Sequence, residues 1–155
     1  MSIYQTLEIL GIVLPEATTP VASYISVKQT GNLLYLAGQL PVKNGQLIYS
    51  GKLGRDISMD DGIAAARQCA INALAAIHSH TSLDNVASVV KLMVFVNSTE
   101  DFIDSPLVAN GASDLLVQVF GKAIGQHTRS AVSVASLPKG APVEIDLVLE
   151  LKNAE

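Results

Sequence analysis

The chain has 155 residues, ten Lys and Arg against fourteen Asp and Glu, a formal net charge of -4, and a single cysteine. That length suits one domain, 1–155, since a fold of about 150 residues hides roughly 68–70% of the surface its unfolded chain exposes. Scattered cations, no Trp and only 5% aromatic residues leave neither a basic patch for phosphates nor a stacking platform, which disfavours a nucleic-acid partner.

Hydrophobic residues make up 49% of the chain against 15% charged, and the mean hydropathy is +0.38, so some apolar surface is expected to meet another subunit. No apolar run approaches the ~20 residues that span a bilayer, and the N-terminus lacks a basic region followed by an apolar one. No membrane association is expected. Cys69 alone cannot form an internal disulfide, which agrees with a reducing compartment, and the chain is read as cytoplasmic.

Tyr4 to Ile12 reads as a short helix leading into an arm that contains Pro15 and Pro20. From Ala22 to Gln39, β-branched and aromatic residues flank Gly31-Asn32, predicting two strands joined as a hairpin. Asn44-Gly45 repeats the turn signal between Leu40-Pro41-Val42 and Leu47-Ile48-Tyr49. Ser58 with Asp61 three residues on resembles a capping box, and Ile63, Ala66, Ala70, Leu74 and Ile77 form an apolar stripe predicting a helix to about His80. Val89 to Val96 suits a central strand buried on both faces. Ser105-Pro106 opens a second helix, whose stripe is Val108, Ala112, Leu115 and Val119 and whose end is set at Gly121. Ser130 to Ala135 and Val143 to Leu151 are the last strands, and in the second of these Val143, Ile145, Leu147, Leu149 and Leu151 alternate with more polar positions, Glu144 among them. The order predicts an α+β domain with two helices on one face of a mixed sheet.

Arg129 is extended alongside Ala131, Ser133 and Ala135, all small, which leaves room beside a guanidinium. If this strand pairs with the last one, Glu144 faces the same cleft and adds an acid/base group to a planar cation suited to a carboxylate. An exposed salt bridge is the plainer alternative, and spacing does not separate the two.

The segment Arg129-Ser130-Ala131-Val132-Ser133-Val134-Ala135-Ser136-Leu137-Pro138, followed by Val143-Glu144-Ile145, resembles the C-terminal signature of the RidA/YjgF family, the reactive-intermediate imine deaminases also called the endoribonuclease L-PSP type. Tyr24, Gly31-Asn32 and Gly38-Gln39 are similar to that family's N-terminal pattern, so the resemblance covers roughly Pro20 to Leu151. It implies a chorismate-mutase-like fold, a homotrimer with sites in clefts between subunits, and hydrolysis of small anionic enamines or imines (2-aminoacrylate, 2-iminobutanoate) to 2-keto acid and ammonia. By the same resemblance Arg129 holds the substrate carboxylate and Glu144 positions or activates water. Tyr24, Ala37, Asn110, Ser130 and Ala131 line the pocket, and neither a metal nor an organic cofactor is implied.

Two positions depart from the pattern. Ala37 stands where the family has Ser, and Ala131 where many members have Cys. With a 102–121 segment longer than the family pattern, these mark a divergent subgroup with a less hydrogen-bonding pocket. A non-catalytic metabolite-binding trimer using the Arg129 cleft is the alternative function, and an endoribonuclease the weakest. Cys69 reads as a buried packing residue. His78 and His80, two apart at a helix end, do not share a face as metal ligands would, and Gly51 to Arg55 lacks the spacing of a phosphate loop.

Overall fold

The structure, a computed structural model, describes residues 1–153. Its elements are α1 (Ile3–Ile9), β1 (Val27–Thr30), β2 (Leu33–Leu36), β3 (Val42–Lys43), β4 (Gln46–Leu47), α2 (Met59–His80), β5 (Val86–Asn97), α3 (Ser105–Gly125), β6 (Thr128–Val134) and β7 (Val143–Leu151). Five strands form one mixed sheet in the order β1-β2-β7-β5-β6, with β5 and β6 parallel and the other pairs antiparallel. The α+β, chorismate-mutase-like reading holds. A third helix, α1, joins α2 and α3: its Tyr4 hydroxyl lies 2.8 Å from His78 Nδ1 and accepts from Leu83 N at 3.0 Å.

Both hairpins form where their turn residues fall. Gly31 (φ 56°) turns the chain from β1 to β2, while Asn44 (φ 52°) and Gly45 (φ 78°) supply the two positive-φ positions that a tight β3-β4 turn needs. Ser58 caps α2 by accepting from Asp61 N at 3.1 Å, and two acidic residues in the first turn favour the positive end of the helix dipole. The buried face of α2 is wider than a single stripe: Ala65, Cys69, Ala73 and Ala76 are buried as well, because α3 covers one flank and β7 the other. A Cβ added at Gly111 would lie 2.0 Å from the Ile63 carbonyl oxygen, so α3 approaches α2 to backbone contact there.

Three expectations need correction. Strand β5 is covered on one face only: Leu92, Val94 and Val96 are buried under the helices, whereas Val132, beside Phe95 on the opposite face, is 44% exposed. The continuous apolar run therefore describes a strand whose second face is bare in the protomer. Gly121 (φ 76°) does not end α3 but kinks it, and a further turn reaches Gly125. Most consequentially, β6 and β7 do not pair, because β5 lies between them.

Candidate functional site

Each strand pair carries its partners on the same side of the sheet, so registers assign the faces. Arg129 pairs with Leu92, on the face covered by helices, while Glu144 pairs with Phe95, on the bare face. Three residues along β5 and one strand to either side place their Cα atoms roughly 14 Å apart. Within one protomer the cleft expected between them does not form, because the intervening strand sends the two side chains to opposite faces.

What surrounds Arg129 is α3. Its Nη1 donates to Asn110 Oδ1 at 2.8 Å and to Ser113 Oγ at 3.1 Å, which uses both Nη1 protons; among the described residues Nε and Nη2 have no partner. The edge left over is the planar Nε/Nη2 fork that matches a carboxylate bidentately. Asn110, expected to line the pocket, is thus brought to Arg129. Ala131 follows on the same face, half-buried against the core, and then Ser133, whose hydroxyl lies 2.7 Å from Ser105 at the start of α3. Ser130 pairs with Met93 and so turns to the bare face.

Two residues at this site were not singled out from the sequence. Ser113 lies one helical turn beyond Asn110, and its Oγ is 3.0 Å from His127 Nε2. His127 precedes Arg129 by two residues, and its Nδ1 lies 2.6 Å from the Gly125 carbonyl oxygen. The local spacings, i to i+3 on a helix and i to i+2 on an extended segment, were the available signals. They acquire meaning only once α3 is known to cover β6.

Glu144 belongs to a different neighbourhood. A Cβ at Gly38 would fall 1.9 Å from Glu144 Oε1, so the bare glycine backbone is what lets the carboxyl group lie there. Gln39 exchanges backbone hydrogen bonds with Ile145, at 2.7 and 3.1 Å, and this fixes the Ala37-Gly38-Gln39 segment against the start of β7. Burial raises the Glu144 pKa, and the like charge of Asp146 raises it further. Such a carboxyl group is a better proton acceptor near neutral pH than an exposed one. Tyr24, 59% exposed, precedes β1 at the edge of the sheet opposite β6, with the four strand spacings between β1 and β6 amounting to about 19 Å. The sequence-predicted residues thus fall into two groups: Arg129, Asn110 and Ala131 at one edge, and Glu144 with Ala37 on the other face, nearer the edge that Tyr24 precedes.

Other groups stand apart. Cys69 is fully buried, donates toward the Val143 carbonyl at 3.6 Å, and its thiol pKa is pushed well up by burial, as suits a packing residue. Arg55 pairs with its neighbour Asp56 at 3.1 Å. Among the described residues no three His, Cys, Asp or Glu side chains gather as a metal ion would require, and no helix is long and apolar enough to cross a membrane.

A five-stranded mixed sheet with helices on one face, and an arginine held by a helical asparagine at its edge strand, define a small α+β protein. A family model described as "YjgF/chorismate_mutase-like, putative endoribonuclease" matches residues 5–151, and the chain belongs to that RidA/YjgF family. It is 45% identical to the Trypanosoma cruzi protein TCP17 over 148 residues, covering 95% of this chain and 92% of that one. A Dermatophagoides farinae protein named 2-iminobutanoate/2-iminopropanoate deaminase is 28% identical over 138 residues, covering 89% and 93%. Among solved structures, Atu1372 from Agrobacterium tumefaciens, a protein of unknown function, superposes with a TM-score of 0.88 at 39% identity, covering 97% of this chain and 92% of that one.

Proposed function

We propose that the chain is a hydrolytic deaminase of small anionic enamines and imines, of the 2-aminoacrylate or 2-iminobutanoate type, releasing a 2-keto acid and ammonia. The observation that carries this reading is the Arg129 guanidinium, held through Nη1 by Asn110 and Ser113 with its Nε/Nη2 edge left for a carboxylate. Similarity to a protein named for imine deamination supports the choice of reaction.

An imine carbon is already electrophilic, so the protein need only orient it, deliver water and manage protons. Arg129 fixes the carboxylate and so places the adjacent C=N. Glu144, a carboxylate with a raised pKa, takes a proton from water as its oxygen adds to the carbon of the protonated imine, leaving a neutral amine; that nitrogen is then protonated, the C–N bond breaks with its electron pair going to ammonia, and the hydroxyl releases its proton to solvent as it becomes the keto oxygen. Since the two half-sites lie on opposite faces, the working site joins Arg129 of one subunit to Glu144, Gly38 and Tyr24 of a neighbour, in a homotrimer closed head to tail. The bare face with its exposed Val132 and Tyr35 suits burial against other subunits.

Ammonia release from enzymatically generated 2-iminobutanoate tests the reading. Wild type should accelerate it, and Arg129→Ala should lose at least about a hundredfold in kcat/KM, as expected for the loss of an anion anchor. No acceleration by wild type over buffer would overturn the assignment for that substrate. A second reading, a metabolite-binding trimer without turnover, draws on Ala37 and Ala131, which remove hydrogen-bonding groups from the pocket wall. Binding of 2-ketobutyrate that depends on Arg129, with no ammonia released, would favour it.

A further inference from the structure

We infer that Ser113 and His127 form a proton relay that feeds the Arg129 site from solvent, with Ser113 as the group that protonates the departing nitrogen. This rests on the imine-hydrolase reading above and assigns the acid which that reading lacks at Arg129.

Hydrogen-bond inventory fixes the relay's direction. A carbonyl oxygen only accepts, so the 2.6 Å contact with Gly125 requires a proton on His127 Nδ1. In the neutral ring Nε2 is then an acceptor, and Ser113 donates to it at 3.0 Å while accepting from Arg129 Nη1 at 3.1 Å. When the ring takes a second proton, Nε2–H donates instead. Both lone pairs of Ser113 Oγ are then occupied, by Nη1–H and Nε2–H, and its own proton must turn outward to whatever Arg129 holds. Protonation of His127 thus converts Ser113 from a donor to imidazole into a donor to the substrate.

The step balances. Ser113 Oγ–H passes its proton to the amine nitrogen of the tetrahedral adduct as the C–N bond breaks, Oγ recovers a proton from Nε2–H, and the ring returns to its neutral, Nδ1-protonated form. His127 regains its proton from water, since it lines an open depression with Ser88, Val89, Val90, Val117, Gln126 and Thr128, none of which is ionisable. The ionisable side chains of the adjoining elements are placed so as not to short the relay. Among the described residues Asp114 and Lys122 on α3 are exposed and make no hydrogen bond to the ring, Lys91 of β5 belongs to the opposite face, and Arg129 reaches the ring only through Ser113. Glu144, which the neighbouring subunit supplies in this reading, serves the water and not this nitrogen.

Steady-state kinetics and pH profiles of Ser113→Ala, Ser113→Thr, His127→Asn and His127→Ala test the relay. Ser113→Ala should lower kcat on 2-iminobutanoate about a hundredfold, the usual scale for a positioned acid, with KM changed less than about threefold, and Ser113→Thr should keep most of the turnover. His127→Asn should lower kcat and alter its pH profile relative to wild type, and added imidazole should restore turnover to His127→Ala through the depression. Unchanged kcat and pH profile in Ser113→Ala and His127→Asn would overturn the relay while leaving the hydrolase reading intact. So would a loss confined to KM, since that is what slack in Arg129 alone would produce. If wild type itself leaves imines untouched, the hydrolase reading falls and takes with it the transfer to nitrogen, and 15N shifts of His127 then test the hydrogen-bond chain alone. A single Nδ1-protonated tautomer whose Nε2 shift moves in Ser113→Ala would uphold that chain, and a mixture of tautomers indifferent to Ser113 would overturn it.

Discussion

Glu144 holds its negative charge against two opposing effects, partial burial and the charge of Asp146 two residues along the same face of β7. Its pKa is therefore higher in the fold than in the unfolded chain, and the sign of the pH dependence follows. Stability from this group is fully present below the ordinary glutamate value and is lost as pH rises through the raised one. Asp146, itself raised by burial and only partly relieved by Lys91, acts in the same direction. Glu144→Gln should flatten the decline in Tm between mildly acidic and neutral pH, and calorimetry over that range checks it. Parallel Tm profiles for the two proteins would mean that the charge is well solvated in the assembly. For Arg129 the protein supplies geometry, through Asn110 and Ser113.

At the level of elements, two glycines separate structural from functional close approach. A methyl group at Gly111 meets backbone, the Ile63 carbonyl oxygen, which can move only if α2 and α3 part; Gly111→Ala should cost about 1–3 kcal/mol in urea denaturation. A methyl group at Gly38 meets the end of the Glu144 side chain, which can swing aside, so Gly38→Ala should stay within about 1 kcal/mol of wild type yet lose turnover as Glu144 leaves its position. Equal loss of stability in the two variants would show that Glu144 is pinned. The elements themselves were largely legible because their signals are local. Ser58 and the apolar period give α2, Asn44-Gly45 gives its turn, and strict alternation gives β7, whose inward residues are all buried. What local pattern does not carry is order across the sheet. β5 between β6 and β7 is a long-range choice, and it moves Glu144 away from Arg129 while bringing Asn110, Ser113 and His127 to it. Arg129 and Asn110 were legible as candidate site residues through the family resemblance, but Ser113 and His127 needed the packing of α3.

At the level of the whole molecule, a protomer with Arg129 and Glu144 on opposite faces of one sheet predicts complementation under the proposed reading. If a site joins Arg129 of one subunit to Glu144 of the next around a closed ring, the two residues of any site come from different chains. Arg129→Ala and Glu144→Gln homotrimers are then each inactive, but a mixed ring contains interfaces where an intact Arg129 meets an intact Glu144. Random assembly at equal concentrations gives such an interface with probability one half times one half, so co-refolded or co-expressed mixtures should recover about a quarter of wild-type turnover. A double variant carrying both substitutions on one chain, mixed with wild type, supplies the control. Only interfaces with wild type on both sides are then intact, which is again about a quarter of the sites, and the two mixtures should match. Were Arg129 and Glu144 to act within one chain, the first mixture would stay inactive while the second kept about half of the wild-type rate, since half of its chains are wild type. The pair of measurements thus decides whether the two half-sites work across subunits without requiring the substrate's physiological identity, since any imine that wild type turns over will serve.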